Sequence, residues 1–89
     1  MNIILKDQEC EGNFNFANAS ICMTRHFSGV FGLESLQIID KALSLICNEY
    51  GRKADYLPSL TYEEKNKETV KFWAVHDGEH VTFMLPSDY

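Results

Sequence analysis

The chain holds two prolines and five glycines in 89 residues, too few for a collagen-like, proline-rich or low-complexity segment. No stretch approaches the roughly 20 apolar residues of a membrane-spanning helix, so no membrane association is expected. Basic residues are the scarcer charge, with 8 Lys and Arg against 13 Asp and Glu and a formal net charge of −5. Beyond Arg52-Lys53 and the mixed run Glu63-Glu64-Lys65-Asn66-Lys67-Glu68 there is no basic block. Nucleic-acid binders normally display one, so direct contact with nucleic acid is not expected. The three cysteines, Cys10, Cys22 and Cys47, are odd in number and form no C-x₂₋₄-C knuckle. Met1 to Lys6 has neither the charged n-region nor the cleavage pattern of an export signal. The thiols are therefore expected to be reduced, in a cytoplasmic protein.

What is present is the composition of a folded domain, 45% hydrophobic and 12% aromatic. Eighty-nine residues make one domain, 1–89, large enough for a modest core without staples. A pronounced local signal lies in Val70 to Leu85, two alternating β-rich runs around Asp77-Gly78. Asp-Gly between such runs predicts a two-residue hairpin turn. His76 would then face Glu79, Trp73 would face Thr82, and Phe72 would face Phe83. One face collects Val70, Phe72, Ala74, Val81, Phe83 and Leu85, the core side; the other carries Lys71, Trp73, Val75, His80, Thr82 and Met84.

The same ribbon contains His76-Asp77-Gly78-Glu79-His80, which matches the H-x-x-E-H zinc-peptidase string. That chemistry needs both imidazoles on one face of a helix. The hairpin register puts the two histidines on opposite faces, so the string is expected to be a solvated hairpin end. Cys22 and His26, with Cys10 and Cys47, supply the ligand types of a Cys₃His site without its spacing. A Cys22 nucleophile activated by His26 would need a third orienting group that no spacing supplies. Structural cysteines, Cys47 above all, are the expectation, with no cofactor and no enzymatic activity. Gly29-Val30-Phe31-Gly32 resembles an RNA-clamping G-x-x-G loop only in its glycines; Val-Phe stands where Lys or Arg would be needed.

The clearest helix runs from Leu33 to Tyr50, closed by Gly51 with Arg52 and Lys53 near its negative end. Leu36, Ile39, Leu43, Ile46 and Tyr50 form its expected central stripe, widened by Ala42 and Cys47 and extended by Ile38 and Leu45. So wide an arc predicts burial on two sides or a contact between chains. Before it, Met1 to Lys6 reads as a short strand. Phe14 to Phe27 fits strand alternation through Ala17, Ala19, Ile21 and Met23 and equally helical spacing through Phe16, Ser20, Met23 and Phe27; it reads as a strand in its first half, paired to the N-terminal one. After it, Pro58 restricts Ala54 to Tyr62 to an edge strand or extended arm. The expected fold is α+β: an antiparallel sheet of four to five strands with the helix Leu33 to Tyr50 on one face and a hairpin turning at Asp77-Gly78.

The outer face of that hairpin is the functional lead. Trp73, Val75 and Met84, with Tyr56 or Tyr62 nearby, would form an aromatic patch of the kind enriched at interface centres; the alternative is that the Asn13 to Phe31 segment or the C-terminal tail covers this face. Glu63 and Glu64, or Asp7, Glu9 and Glu11, would steer a basic protein partner towards it. Small acidic chains without catalytic groups are the usual form of immunity proteins, antitoxins and phage-encoded inhibitors such as anti-CRISPRs, which occlude a partner. The alternatives are a homodimer built through Ile38 and Leu45 or through an unpaired strand edge, and a small zinc-binding protein.

Overall fold

The computed structural model describes residues 2–89. In chain order they form β1 (Asn2–Leu5), β2 (Ser20–Met23), α1 (Arg25–Phe31), a 3₁₀ turn (Gly32–Glu34), α2 (Ser35–Tyr50), β3 (Ser59–Glu63), β4 (Val70–His76), β5 (His80–Met84) and a closing 3₁₀ turn (Pro86–Asp88). The strands make one sheet in the order β1-β3-β4-β5-β2. β3, β4 and β5 are an antiparallel meander, β1 adds antiparallel to β3, and β2 adds parallel to β5. The α+β class, the helix packed on the sheet and the C-terminal hairpin are as the sequence predicts. The sheet is mixed because β2 joins the far edge instead of pairing with β1.

The hairpin turns one residue later than Asp77-Gly78 predicts. The Asp77 N–H donates to the His80 carbonyl at 3.1 Å, which leaves Gly78 and Glu79 as the central residues. Gly78 alone of these has positive φ, 104°, the glycine-first pattern of a II′-type turn. Asp77 takes the preceding position, where its Oδ1 accepts the N–H groups of Glu79 (3.0 Å) and His80 (2.7 Å). Those bonds, from His80 first, hold the Asp77 carboxyl below its ordinary pKa. Trp73 therefore faces Met84 and His76 faces Val81. Each partner is displaced by two residues, an even number, so the assignment of faces survives.

Inward side chains from the sheet, Leu60, Phe72, Ala74, Val81 and Phe83, are fully buried against Phe16, Phe27, Ile38, Ala42 and Ile46. Phe27 lies edge-on or tilted to Phe31, Phe72 and Phe83 at centroid distances of 4.7–5.9 Å, arrangements that favour aromatic pairs. Phe27 and Phe31 belong to α1, which takes in the end of the segment that the sequence left open between strand and helix and most of the break expected at Ser28 to Gly32. It starts where Thr24 Oγ1 accepts the Phe27 N–H at 3.1 Å, a side-chain N-cap.

With Phe27 and Phe31 seated beneath α1, the buried arc of α2 is Ile38, Ile39, Ala42 and Ile46. At 100° per residue this arc is rotated by roughly 60° from the predicted stripe. Leu36, placed at that stripe's centre, is 71% exposed, and Ile38, placed on its flank, is 0% exposed. A dimer built through Ile38 and Leu45 has no surface at Ile38 to use.

β3 is an interior strand, not an edge. Pro58 precedes its first residue and contributes only a carbonyl, which accepts the Ala74 N–H at 3.1 Å. The ladder therefore never requires the N–H that proline lacks. Gly12 lets the Asp7–Asn13 segment lie against the chain after α2. Its N–H donates to the Lys53 carbonyl at 3.0 Å, and a Cβ there would sit 2.2 Å from the Ala54 oxygen.

Candidate protein-binding surface

Both helices and the Phe14–Phe16 segment pack on the inner face of the sheet, so the outer face is the place to look for a site. Trp73 and Met84 stand opposite each other across β4 and β5, and Val75 stands opposite Thr82. Ser59 completes the Trp73 row from β3. Trp73, Val75, Met84 and Leu57 are each half-buried, with Lys71, His80 and Cys22 exposed around them. The alternation visible in the sequence is what assembles Trp73, Val75 and Met84. Among the described residues, what reaches over this face is the chain end: the Tyr89 ring meets Trp73 edge-on at 5.5 Å.

Tyr56 joins the same aromatic group. The charge of Tyr89, then a hydrogen bond to it, raises the Tyr56 phenol above its ordinary pKa. Tyr62 does not join. Its position in β3 points inward, where it is buried and donates its hydroxyl to Glu64 Oε2 (3.0 Å) and Glu34 Oε2 (3.3 Å). Burial first, then these two carboxylates, pushes its pKa up to about 12. Glu64 is held on that inner side by Tyr62 and by Lys67 Nζ at 3.0 Å. Glu63 faces Asn2, four residues along β3 from the Trp73 row. The structure thus gathers Trp73, Val75, Met84 and Tyr56, and separates Tyr62, Glu63 and Glu64 from them. Leu57 and Tyr89 belong to the patch as well. The β3 alternation carried back past Pro58 reaches Leu57, and Tyr89 is part of the C-terminal tail that the sequence already offered as a cover for this face.

The chain end is clasped to the start of α1. Asp88 Oδ2 accepts from Thr24 Oγ1 (2.8 Å) and the Leu85 N–H (3.0 Å), while Oδ1 lies 3.1 Å from His26 Nδ1. Partial burial pushes the Asp88 carboxyl up, but the hydrogen bonds from Thr24 and Leu85, with His26 beside them, outweigh it and leave the pKa lowered. Ser87 Oγ is 3.4 Å from the same His26 nitrogen. Ser, His and Asp are the residues of a hydrolytic triad, but there the serine and the aspartate occupy opposite ring nitrogens. Here both meet Nδ1, and the cluster is a structural clasp.

The H-x-x-E-H string resolves into two unlike histidines. His80 is exposed on the outer face, its Nδ1 3.9 Å from Asp77 Oδ1. His76 is not solvated, contrary to the prediction, and does not pair with Glu79. It is buried on the inner side between Phe14 and Phe16, each ring 5.0 Å away. Its Nδ1 accepts the Gly78 N–H at 3.0 Å, which assigns the proton to Nε2, and Nε2–H donates to the Asn15 carbonyl at 3.1 Å. With both nitrogens engaged, His76 has none free for a metal or a substrate, although a cleft of about 390 Å³ opens beside it.

Among the described residues no three His, Cys, Asp or Glu side chains are grouped to hold a metal ion. Cys10 and Cys22 are exposed rather than packed, and Cys47 is half-buried on α2, where burial raises its thiol pKa. A raised pKa leaves less thiolate and a poorer nucleophile. No helix of the described residues is long and apolar enough to cross a membrane. No family model, curated protein or solved structure matches the chain.

Proposed function

We propose that this chain is a non-enzymatic protein-binding module, an intracellular inhibitor or regulator that acts by occluding a partner protein. Immunity proteins, antitoxins and phage-encoded inhibitors such as anti-CRISPRs are the functional types it would join. The observation that carries the reading is the outer sheet face. A small two-layer domain needs one apolar face for its core, and this one has a second, centred on Trp73, Val75, Met84 and Leu57 with a polar margin. An aromatic and methionine centre inside a polar rim is the usual anatomy of an interface. Of the side-chain clusters that imitate enzymes, His76 has both ring nitrogens in structural hydrogen bonds, and at His26 Ser87 and Asp88 meet the same nitrogen, which is not a triad arrangement.

Steering by acidic residues towards a basic partner accompanies this reading, from the exposed Glu63 and the acidic Asp7–Glu11 loop, in which Glu11 is already paired with Lys53 at 3.2 Å. The test is the double variant Trp73→Ala, Met84→Ala, measured for affinity against the partner isolated with the tagged wild-type chain. The half-buried positions predict a folded variant, and its far-ultraviolet circular dichroism should match the wild type. Affinity should fall at least a hundredfold, as for the loss of two anchors of about 1.5 kcal/mol or more each. Undiminished affinity in the folded double variant would remove the outer face from the interface.

A further inference from the structure

The corner between the two helices leaves large apolar side chains in water. Val30, Leu33 and Leu36, spaced three residues apart around it, are 46%, fully and 71% exposed. Exposed leucines taken singly are ordinary, but neighbours rimmed by polar groups mark contact sites. A groove of about 330 Å³ opens here, its apolar lining including Val30, Phe31, Leu33 and Val70 and its charged lining Glu34, Glu64, Lys67 and Glu68. Glu64 has its counter-charge in Lys67 at 3.0 Å and Glu34 accepts from the Tyr62 hydroxyl at 3.3 Å, so among the described lining residues the single cation Lys67, whose pKa Glu64 and then Glu34 raise, stands against three carboxylates, Glu34, Glu64 and Glu68.

We propose that this corner docks a segment of another protein that presents a leucine-sized side chain beside an arginine or lysine. The apolar side chain would cover Val30 and Leu33, and the cation would offset the excess of Glu34, Glu64 and Glu68 over Lys67. Arginine suits both halves, since its aliphatic stem covers apolar surface and its guanidinium forks onto a carboxylate. A second copy of this chain is a poor occupant. Two such corners would face carboxylate with carboxylate on a molecule of net charge −5. The corner belongs to the helical layer and the Trp73 patch to the opposite side of the sheet. Occupying one leaves the other free, and this proposal stands whether or not the Trp73 patch binds anything.

The probe is a 12-residue amphipathic peptide of leucine and arginine at helical spacing, titrated into the ¹⁵N-labelled chain, with its leucine-and-glutamate counterpart as control. Saturable shifts should concentrate on the amides of Val30 to Leu36 and Tyr62 to Val70, and the glutamate peptide should give none. Leu33→Ser should weaken binding by roughly tenfold or more, the factor for one leucine no longer buried. Glu34→Gln should weaken it by about twofold to fivefold, and more weakly still in high salt. The exposed-acid control Glu49→Gln, at the far end of α2, should leave it unchanged. Both helix-corner positions are exposed, so these variants keep the fold. No saturable binding at millimolar peptide, shifts dispersed over the acidic surface, or an affinity indifferent to Leu33→Ser would each overturn the proposal. So would a wild-type dimer in solution that Leu33→Ser dissolves, because the occupant would then be a second copy.

Discussion

Replacing His76 and His80 separately by alanine divides the structural reading of the H-x-x-E-H string from the catalytic one. A zinc site would lose a ligand in either variant and suffer equally. The structure predicts an unequal result. His76→Ala removes a ring wedged between Phe14 and Phe16 and leaves the Asn15 carbonyl and the Gly78 N–H without partners. A fully enclosed unpaired group costs about 1–3 kcal/mol, but the adjoining cleft lets water reach these two, which puts the pair at the low end. Adding the lost ring contacts gives a destabilisation of about 2–4 kcal/mol, a large share of the ~5–15 kcal/mol typical of a small domain. His80→Ala removes an exposed ring 3.9 Å from Asp77 and should cost under about 0.5 kcal/mol. Urea unfolding followed by circular dichroism measures both, and repeating it with EDTA and with added zinc closes the test. Equal losses in the two variants, or a zinc-dependent gain in wild-type stability that either substitution abolishes, would refute the structural assignment.

The clasp at the chain end predicts an acid-triggered change at Trp73. Because the Asp88 carboxyl is held below its ordinary value of 3.8, its stabilisation is complete above that value and is lost as the pH falls through the lowered one. Trp73 fluorescence should respond as Tyr89 loosens, and Asp88→Asn should show the low-pH signal at neutral pH; an unaltered spectrum in that variant would sever the clasp from Trp73. At the alkaline end, Tyr62 keeps its proton until about pH 12, so its folded-state preference is fully present below pH 10 and disappears as the pH rises through 12. Absorbance at 295 nm should show a late tyrosine that Tyr62→Phe removes. On α2, Ile38→Ala should cost about 2–5 kcal/mol, whereas Leu36→Ala should stay within about 0.5 kcal/mol. The reverse order in urea unfolding would restore the predicted stripe.

Period-two alternation made the ribbon legible. Phe72, Ala74, Val81 and Phe83 are buried, and Trp73, Val75 and Met84 face outward, even though the turn is one residue displaced. The displacement comes from Asp77 using its side chain as an acceptor, a preference the Asp-Gly pair does not disclose. The long helix was legible as a helix, but its orientation was not. That depends on Phe27 and Phe31 from α1, a seven-residue element with Gly29 inside it and no long apolar repeat. Tyr62 was placed in the patch because Pro58 suggested an edge; its true row, opposite Val70, is fixed by pairing partners distant in sequence. The clasp joins residues 62 to 64 positions apart, which no local pattern anticipates.

The strand order has a consequence for synthesis. The three central strands are consecutive and lie in the last third of the chain, while both outermost strands come from its first 23 residues. On the ribosome, β1 and β2 emerge long before β3 and β5, the strands they must pair with. α1 and α2 can form from local bonds, but sheet assembly waits for the meander, after which β1 and β2 close its two sides from a distance. Non-local pairing of this kind slows folding and prolongs the exposure of unpaired strands. At four residues each, the two waiting strands offer passing chains only a short template for mispairing.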